Sequence, residues 1–225
     1  MIERLEVDSD VGVFVVGDIH GEYTQLMGKL KDIGFNFESD LLIAVGDLVD
    51  RGFENEKCIN LLNERWFKSI RGNHEQFCID GFQDSSIAFY HRMKNNGGAW
   101  FYNHQEDIQS AIVDKLNKLP VLLEIKYKNK KYGFIHADVP VQDWDLLKEM
   151  LMNGDILNER SIVDHCLWSR NIVNLDHVDI YGIDNVFLGH TVLENIKQVG
   201  NCTFLDTGGC FSSVDEKYRL SIIKI

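Results

Sequence analysis

The chain has 225 residues, 44% hydrophobic and 26% charged, proportions that fit one globular α/β domain and exclude a disordered chain. Its formal charge of −12 comes without any basic stripe, which excludes a nucleic-acid binder held by phosphate contacts. It also excludes long-range steering of an anionic substrate, so phosphate chemistry would need local cations and a few arginines.

Met1 to Asp10 is charged and lacks the apolar core of a signal segment, and no apolar stretch approaches a membrane span in length. Val11 to Val16 is an almost unbroken apolar run, read as a strand buried on both faces, and it ends at Gly17-Asp18-Ile19-His20-Gly21. Tyr23 to Ile33 places Leu26, Leu30 and Ile33 at helical spacing, with Gly34 as the stop. Leu41 to Val45 is a second strand, ending at Gly46-Asp47-Leu48-Val49-Asp50-Arg51-Gly52, and a helix follows over Glu54 to Asn63. Trp66 to Ile70 is a third, weaker strand that runs into Arg71-Gly72-Asn73-His74-Glu75.

Gln83 to Leu119 reads as helical with a break at Gly97-Gly98 and is expected to form a cap or lid. Val121 to Tyr127 and Lys131 to Ile135 flank a Lys-Asn-Lys tip as hairpin arms, the second leading to His136-Ala137-Asp138. Residues 141 to 181 carry little readable pattern. Val186 to Leu188 before Gly189-His190, and Thr203 to Leu205 before Asp206-Thr207-Gly208, repeat the strand-then-polar-turn theme, and Leu220 to Ile225 is a final strand. Cys58, Cys78, Cys166, Cys202 and Cys210 form no CxxC pair, so neither a disulfide framework nor a thiolate zinc site is suggested. A protein of the reducing cytosol is expected.

Strand, polar turn and helix in repetition predict parallel pairing with crossover connections, and sites in such sheets form beyond the carboxyl ends of the strands. The turns should therefore converge. One divalent metal could be held by Asp18, His20 and Asp47, and a second by Asp47, Asn73, His136 and His190, with the Asp47 carboxylate bridging. This mixture of hard oxygens and imidazole nitrogens suits Mn, Fe or Zn. Two such ions about 3.5–4 Å apart would activate a water for in-line attack on phosphorus. Arg51 offers a planar fork for phosphate, with Arg170 as its partner and Asn73 close by. His74 is placed to protonate the departing alkoxide, with Asp50 orienting its ring.

These strings resemble the metal-dependent phosphoprotein phosphatase family, in particular its small phage and bacterial branch typified by bacteriophage lambda phosphatase. The similarity extends to Leu41 to Arg51, Arg71 to Gln76, His136-Ala137-Asp138, Val163-Asp164-His165 with Trp168 and Arg170, Gly189-His190-Thr191 and Asp206-Thr207-Gly208. It implies a β-sandwich of two mixed sheets flanked by α-helices, spanning residues 1–225 as one metallophosphatase domain. It further implies metal ligands at Asp18, His20, Asp47, Asn73, His136 and His190, phosphate contacts from Arg51 and Arg170, and acid catalysis by His74 with Asp50. Mn²⁺ is the metal implied. The implied substrates are phosphoserine and phosphothreonine in proteins or peptides, extending to phosphotyrosine and aryl phosphates, with no nucleic acid or membrane as partner.

The nearest enzymatic rival is a symmetric dinucleoside tetraphosphatase on the same metal frame. A rival of another class is a catalytically silent binding protein, which should have lost ligands that are all present here. Asp138 and Asp206 read equally as turn caps or as groups orienting ligands. His91, His104, His165 and His177 read as surface or core residues, and Trp100, Trp144 and Trp168 as core or groove.

Overall fold

The computed structural model describes residues 1–153 and 156–225, with the backbone alone for 156–160. Strand β1 (Ile2–Glu6) is followed by β2 (Val13–Val16), α1 (Tyr23–Asp32), β3 (Leu41–Ala44), α2 (Asn55–Asn60) and β4 (Phe67–Ser69). Helices α3 (Asn73–Gln83), α4 (Ser85–His91) and α5 (Glu106–Leu116) come next, with a 3-10 turn at Gly98–Asn103 before α5. The hairpin β5 (Leu122–Tyr127) and β6 (Lys130–Ile135), α6 (Trp144–Asn153), α7 (Ile156–Trp168), β7 (Asn185–Leu188), β8 (Lys197–Val199), β9 (Cys202–Phe204) and β10 (Ile222–Lys224) complete the order. No helix among the described residues is long and apolar enough to cross a membrane.

The strands form a 6-stranded sheet, β1-β5-β6-β7-β9-β8, and a 4-stranded sheet, β10-β2-β3-β4, both mixed. The two sheets face each other, and side-chain alternation decides what lies between them. Val13, Val15, Ile43 and Val45 point inward to meet Leu123, Ile125, Phe134 and Phe187. Their neighbours Phe14, Val16, Leu42 and Ala44 point outward beneath Leu26 and Leu30 of α1, Cys58 and Ile59 of α2 and Leu116 of α5. On the other sheet Leu122, Ile135 and Val186 are covered by Leu147 and Leu151 of α6 and Cys166 of α7. A strand with both faces covered has to be apolar throughout, which is why Val13–Val16 shows no polar alternation.

Two elements depart from the sequence expectation. The N-terminal ten residues contain β1, which pairs parallel with β5; its charged Glu3, Arg4 and Glu6 suit a half-exposed edge. The stretch expected to be a lid instead packs into the core: α3 already begins at Asn73, and Phe101, Ile112, Val113 and Leu116 are buried against the 4-stranded sheet. The hairpin tip is a two-residue loop with Lys128 and Asn129 at φ 48° and 62°, whose twist suits adjoining antiparallel strands.

Trp144, the first residue of α6, is fully buried, donates its indole N–H to Glu124 on β5 at 2.8 Å, and lies over Gly133, where a side chain would collide with its ring. Lys148, one turn later, reaches the same carboxylate at 2.6 Å. Trp144→Ala is expected to cost about 3–5 kcal/mol of unfolding free energy, the usual loss for a buried Trp. A urea denaturation midpoint within error of the parent would refute this.

Candidate active site

Strands β2, β3 and β4 run parallel, as do β6, β7 and β9 in the facing sheet, so carboxyl ends from both sheets reach one edge of the sandwich. Asp18 and His20 follow β2; Asp47, Asp50 and Arg51 follow β3; Asn73 and His74 open α3; His136 follows β6 and His190 follows β7. All of these are buried except Arg51, which is half-buried. The turns are tied together through backbone groups, with the His20 N–H donating to the Asp47 carbonyl at 2.9 Å and the Gly52 N–H to the His20 carbonyl at 3.0 Å. Gly52 is required there, because a Cβ would overlap the His20 carbonyl oxygen. His20, Asp47, Asp50, Arg51 and His190 all have φ between 47° and 74°. That left-handed conformation costs an L residue on the order of 1–2 kcal/mol, and its concentration at one place marks a geometry held for chemistry.

Three imidazoles share one arrangement. His20 Nδ1 and His136 Nδ1 donate to the carbonyls of Val49 and Val45, both at 2.8 Å, and His190 Nε2 donates to the Trp168 carbonyl at 3.2 Å. Both nitrogens of each ring face oxygen, and with a cation on the Asp47 and Asn73 side the backbone carbonyl keeps the ring proton and leaves the other nitrogen's lone pair to the ion. Those nitrogens turn toward oxygen: His136 Nε2 is 2.9 Å from Asn73 Oδ1 and 3.4 Å from Asp47 Oδ1. His190 Nδ1 is 2.8 Å from Asn73 Oδ1, and His20 Nε2 is 3.6 Å from Asp47 Oδ2. Neutral rings face those oxygens stably when a cation lies among them.

The electrostatics carry the same signature. Burial and the neighbouring Asp206 push the Asp18 carboxyl well above the usual range. Burial also pushes Asp206 up to about 6, and its Oδ2 is buried without a hydrogen-bond partner. Burial and the adjacent His136 bring His190 down to about 3, so its ring is neutral and able to ligate. Burial opposes charge on His136, but the Asp47 carboxylate outweighs it and raises the ring to about 10, drawing a proton to the place a cation suits. Ligand atoms of His20, Asp47 and His74, and separately of Asp47, His136 and His190, lie within 4.8 Å of one another, so Asp47 belongs to both groups. Carboxylate, amide oxygen and neutral imidazole fit borderline divalent ions.

Glu75 builds the wall behind this cluster. Its carboxylate accepts the backbone N–H groups of Asp47, Leu48 and Gly72 at 2.9, 2.8 and 2.8 Å, locking the turn after β3 to the start of α3. The His74 N–H at that helix start then donates to Asp47 Oδ1 at 3.0 Å. Beside the cluster, His74 Nδ1 donates to Asp50 Oδ2 at 2.7 Å. Burial opposes ionisation of Asp50, but the N–H groups of His74 and His91 prevail and bring it down to about 2. Arg51 spans two rings, Nη1 toward His20 Nε2 and Nη2 toward His74 Nε2 at 3.1 Å. A guanidinium only donates, which makes both nitrogens acceptors in this arrangement.

Arg170 lies in the loop after α7 and is exposed, yet its charge is near enough to help depress His190. Asp138 holds that loop by accepting the Asn171 N–H at 2.7 Å, while Asp206 faces the metal-type cluster. Trp168 packs edge-on to Phe77 at the rim, 4.8 Å between centroids. In sequence, Glu75 belongs to the Arg71-Gly72-Asn73-His74-Glu75 string without a separate role, His91 reads as a surface or core residue and Trp100 as core or groove. Glu75 has a local signal, the third position of a helix whose start needs an acceptor. His91 and Trp100 follow no strand and carry no such mark.

The calcineurin-like phosphoesterase family pattern matches residues 12–201. The chain is 35% identical over 216 residues to the serine/threonine-protein phosphatase 2 of Escherichia coli (strain K12), covering 95% of this chain and 92% of that protein. A more distant relative, the symmetrical bis(5'-nucleosyl)-tetraphosphatase of Pasteurella multocida (strain Pm70), is 25% identical over 187 residues, covering 78% of this chain and 63% of that protein. Among solved structures, the cold-active protein-tyrosine phosphatase of a psychrophilic Shewanella species superposes with a TM-score of 0.65 at 16% identity, over 96% of this chain and 76% of that one, a likeness of fold.

Proposed function

The chain belongs to the calcineurin-like phosphoesterase family, and from that premise we propose that it is a metal-dependent protein serine/threonine phosphatase acting on phosphorylated proteins or peptides. The observation that supports this best is the set of three histidines, each anchored by one nitrogen to a backbone carbonyl and aimed by the other at the oxygens of Asp47 or Asn73, beside Arg51 and the His74–Asp50 pair.

Asp18, His20 and Asp47 would hold one divalent ion, and Asp47, Asn73, His136 and His190 a second, with Mn²⁺ the favoured metal and Fe²⁺ or Zn²⁺ the others that suit the donors. Such a pair, when bound, lowers the pKa of a water from about 15.7 towards roughly 7 and offsets phosphoryl charge. Arg51 turns its fork from the histidines to two phosphoryl oxygens, a bidentate grip that lysine lacks. Arg170 adds positive charge from the loop after α7, near His190. Once Arg51 leaves His74 Nε2, that nitrogen is free to carry a proton and pass it to the departing serine or threonine oxygen, while Asp50 holds Nδ1–H throughout. Action in a reducing cytosol belongs to the same proposal, supported by Cys58, Cys78, Cys166, Cys202 and Cys210 all being free thiols.

The test is a substrate panel with Mn²⁺ supplied. A phosphoserine peptide should be hydrolysed in preference to diadenosine tetraphosphate, and a chelator should abolish turnover that added Mn²⁺ restores. Preference for the dinucleotide would favour the tetraphosphatase reading instead, and inactivity with every divalent metal would return the silent binding protein.

A further inference from the structure

His91, the last residue of α4, is fully buried, and its Nε2 lies 2.7 Å from Asp50 Oδ2, the same oxygen that accepts from His74. Trp100, from the 3-10 turn, donates its indole N–H to the other oxygen, Asp50 Oδ1, also at 2.7 Å. Asp50 is ionised and only accepts, so His91 carries its proton on Nε2 and its Nδ1 accepts the Tyr102 hydroxyl at 3.0 Å. The His91 ring is fixed on its faces too. Phe77 of α3 stacks on it at 5.2 Å with 17° between planes, and Gly98 approaches so closely that a Cβ there would overlap the imidazole. Cys78 lies in the same group of side chains, but both oxygens of Asp50 and both nitrogens of His91 are already engaged in hydrogen bonds, which argues for a hydrogen-bond chain here and against another cation site.

We propose that His91, assisted by Trp100, is a positioning residue for catalysis: the two N–H groups clamp both oxygens of Asp50, and the clamped carboxylate holds His74 with Nε2 aimed at the leaving group. The inference rests on the acid role of His74 given above. Without the His91 donor, a carboxylate buried at this depth loses a partner and rotates or takes up a proton, since an unpaired buried charge is costly. Either change releases His74 Nδ1.

The experiment compares His91→Phe, His91→Gln and His74→Asn, and the double variant His74→Asn/His91→Phe, on a phosphoserine peptide and on p-nitrophenyl phosphate with Mn²⁺ supplied. His91→Phe should lower kcat on the peptide by at least roughly tenfold, a part of the 10²–10⁴ that a general acid contributes, with a smaller loss on the aryl ester and little change in KM. His91→Gln, which keeps an N–H near the Nε2 position, should recover most of that loss. In the double variant the His91 change should add nothing to His74→Asn. Trp100→Phe removes only the indole N–H and should show the same split between substrates at lower amplitude, which serves if His91→Phe does not fold. Equal losses on both substrates for the His91 and Trp100 variants, or losses that multiply in the double variant, would overturn the proposal while leaving His74 as the acid. Equal losses for His74→Asn alone would overturn the acid assignment, and this inference with it.

Discussion

His74→Asn is expected to reduce turnover of a phosphoserine peptide by about 10²–10⁴, or roughly 3–5 kcal/mol in activation free energy. Asparagine keeps an N–H that can reach Asp50 but has no group at the Nε2 position, so the wall of the site is preserved and the proton donor is lost. A serine alkoxide is a poor leaving group and needs that proton, whereas p-nitrophenolate leaves without it. The loss on p-nitrophenyl phosphate should therefore be much smaller, and a loss of equal size on both substrates would remove His74 from the acid role. The His74 backbone N–H to Asp47 Oδ1, 3.0 Å, does not depend on the side chain, so the variant should retain its metal affinity. Titrating Mn²⁺ against activity checks this separately.

Arg51→Ala should lower kcat by about 10²–10³, the loss seen when one donor to a developing oxyanion is removed, and should raise KM as well. Both parameters move because a guanidinium fork grips the phosphate in the ground state, which sets KM, and grips it more tightly as charge builds in the transition state, which sets kcat. Arg51 also helps keep His20 neutral: burial comes first and the nearby guanidinium second in holding the imidazole well below its ordinary range. Arg51→Lys should recover only part of the loss, since an ammonium cannot bridge two oxygens in one plane. Normal kinetics in Arg51→Ala would exclude it from the phosphate site.

The turns around the site were legible because each chemistry-bearing residue stands within a few positions of an apolar run, flanked by glycines that signal a reversal. Asp18 and His20 after Val13–Val16, and Asp47 to Arg51 after Leu41–Ala44, are of this kind. Strand β1 was hidden because Glu3, Arg4 and Glu6 break its apolar pattern and its partner β5 begins at Leu122, far along the chain. The segment containing α4 and α5 looked detachable because its helical periodicity is local, and periodicity does not tell which surface a helix covers.

By itself, then, the sequence determined the strands that lead into the site, the donor types at their ends and the acid, base and guanidinium chemistry available there, since short-range sterics and side-chain period act between neighbours. Only the tertiary structure decided that two separate sheets close over one another so that His136 and His190 meet Asn73, that Glu75 locks two turns, and that His91 and Trp100 grip Asp50 from behind. Those contacts join residues tens of positions apart, and the packing of whole elements sets their distances.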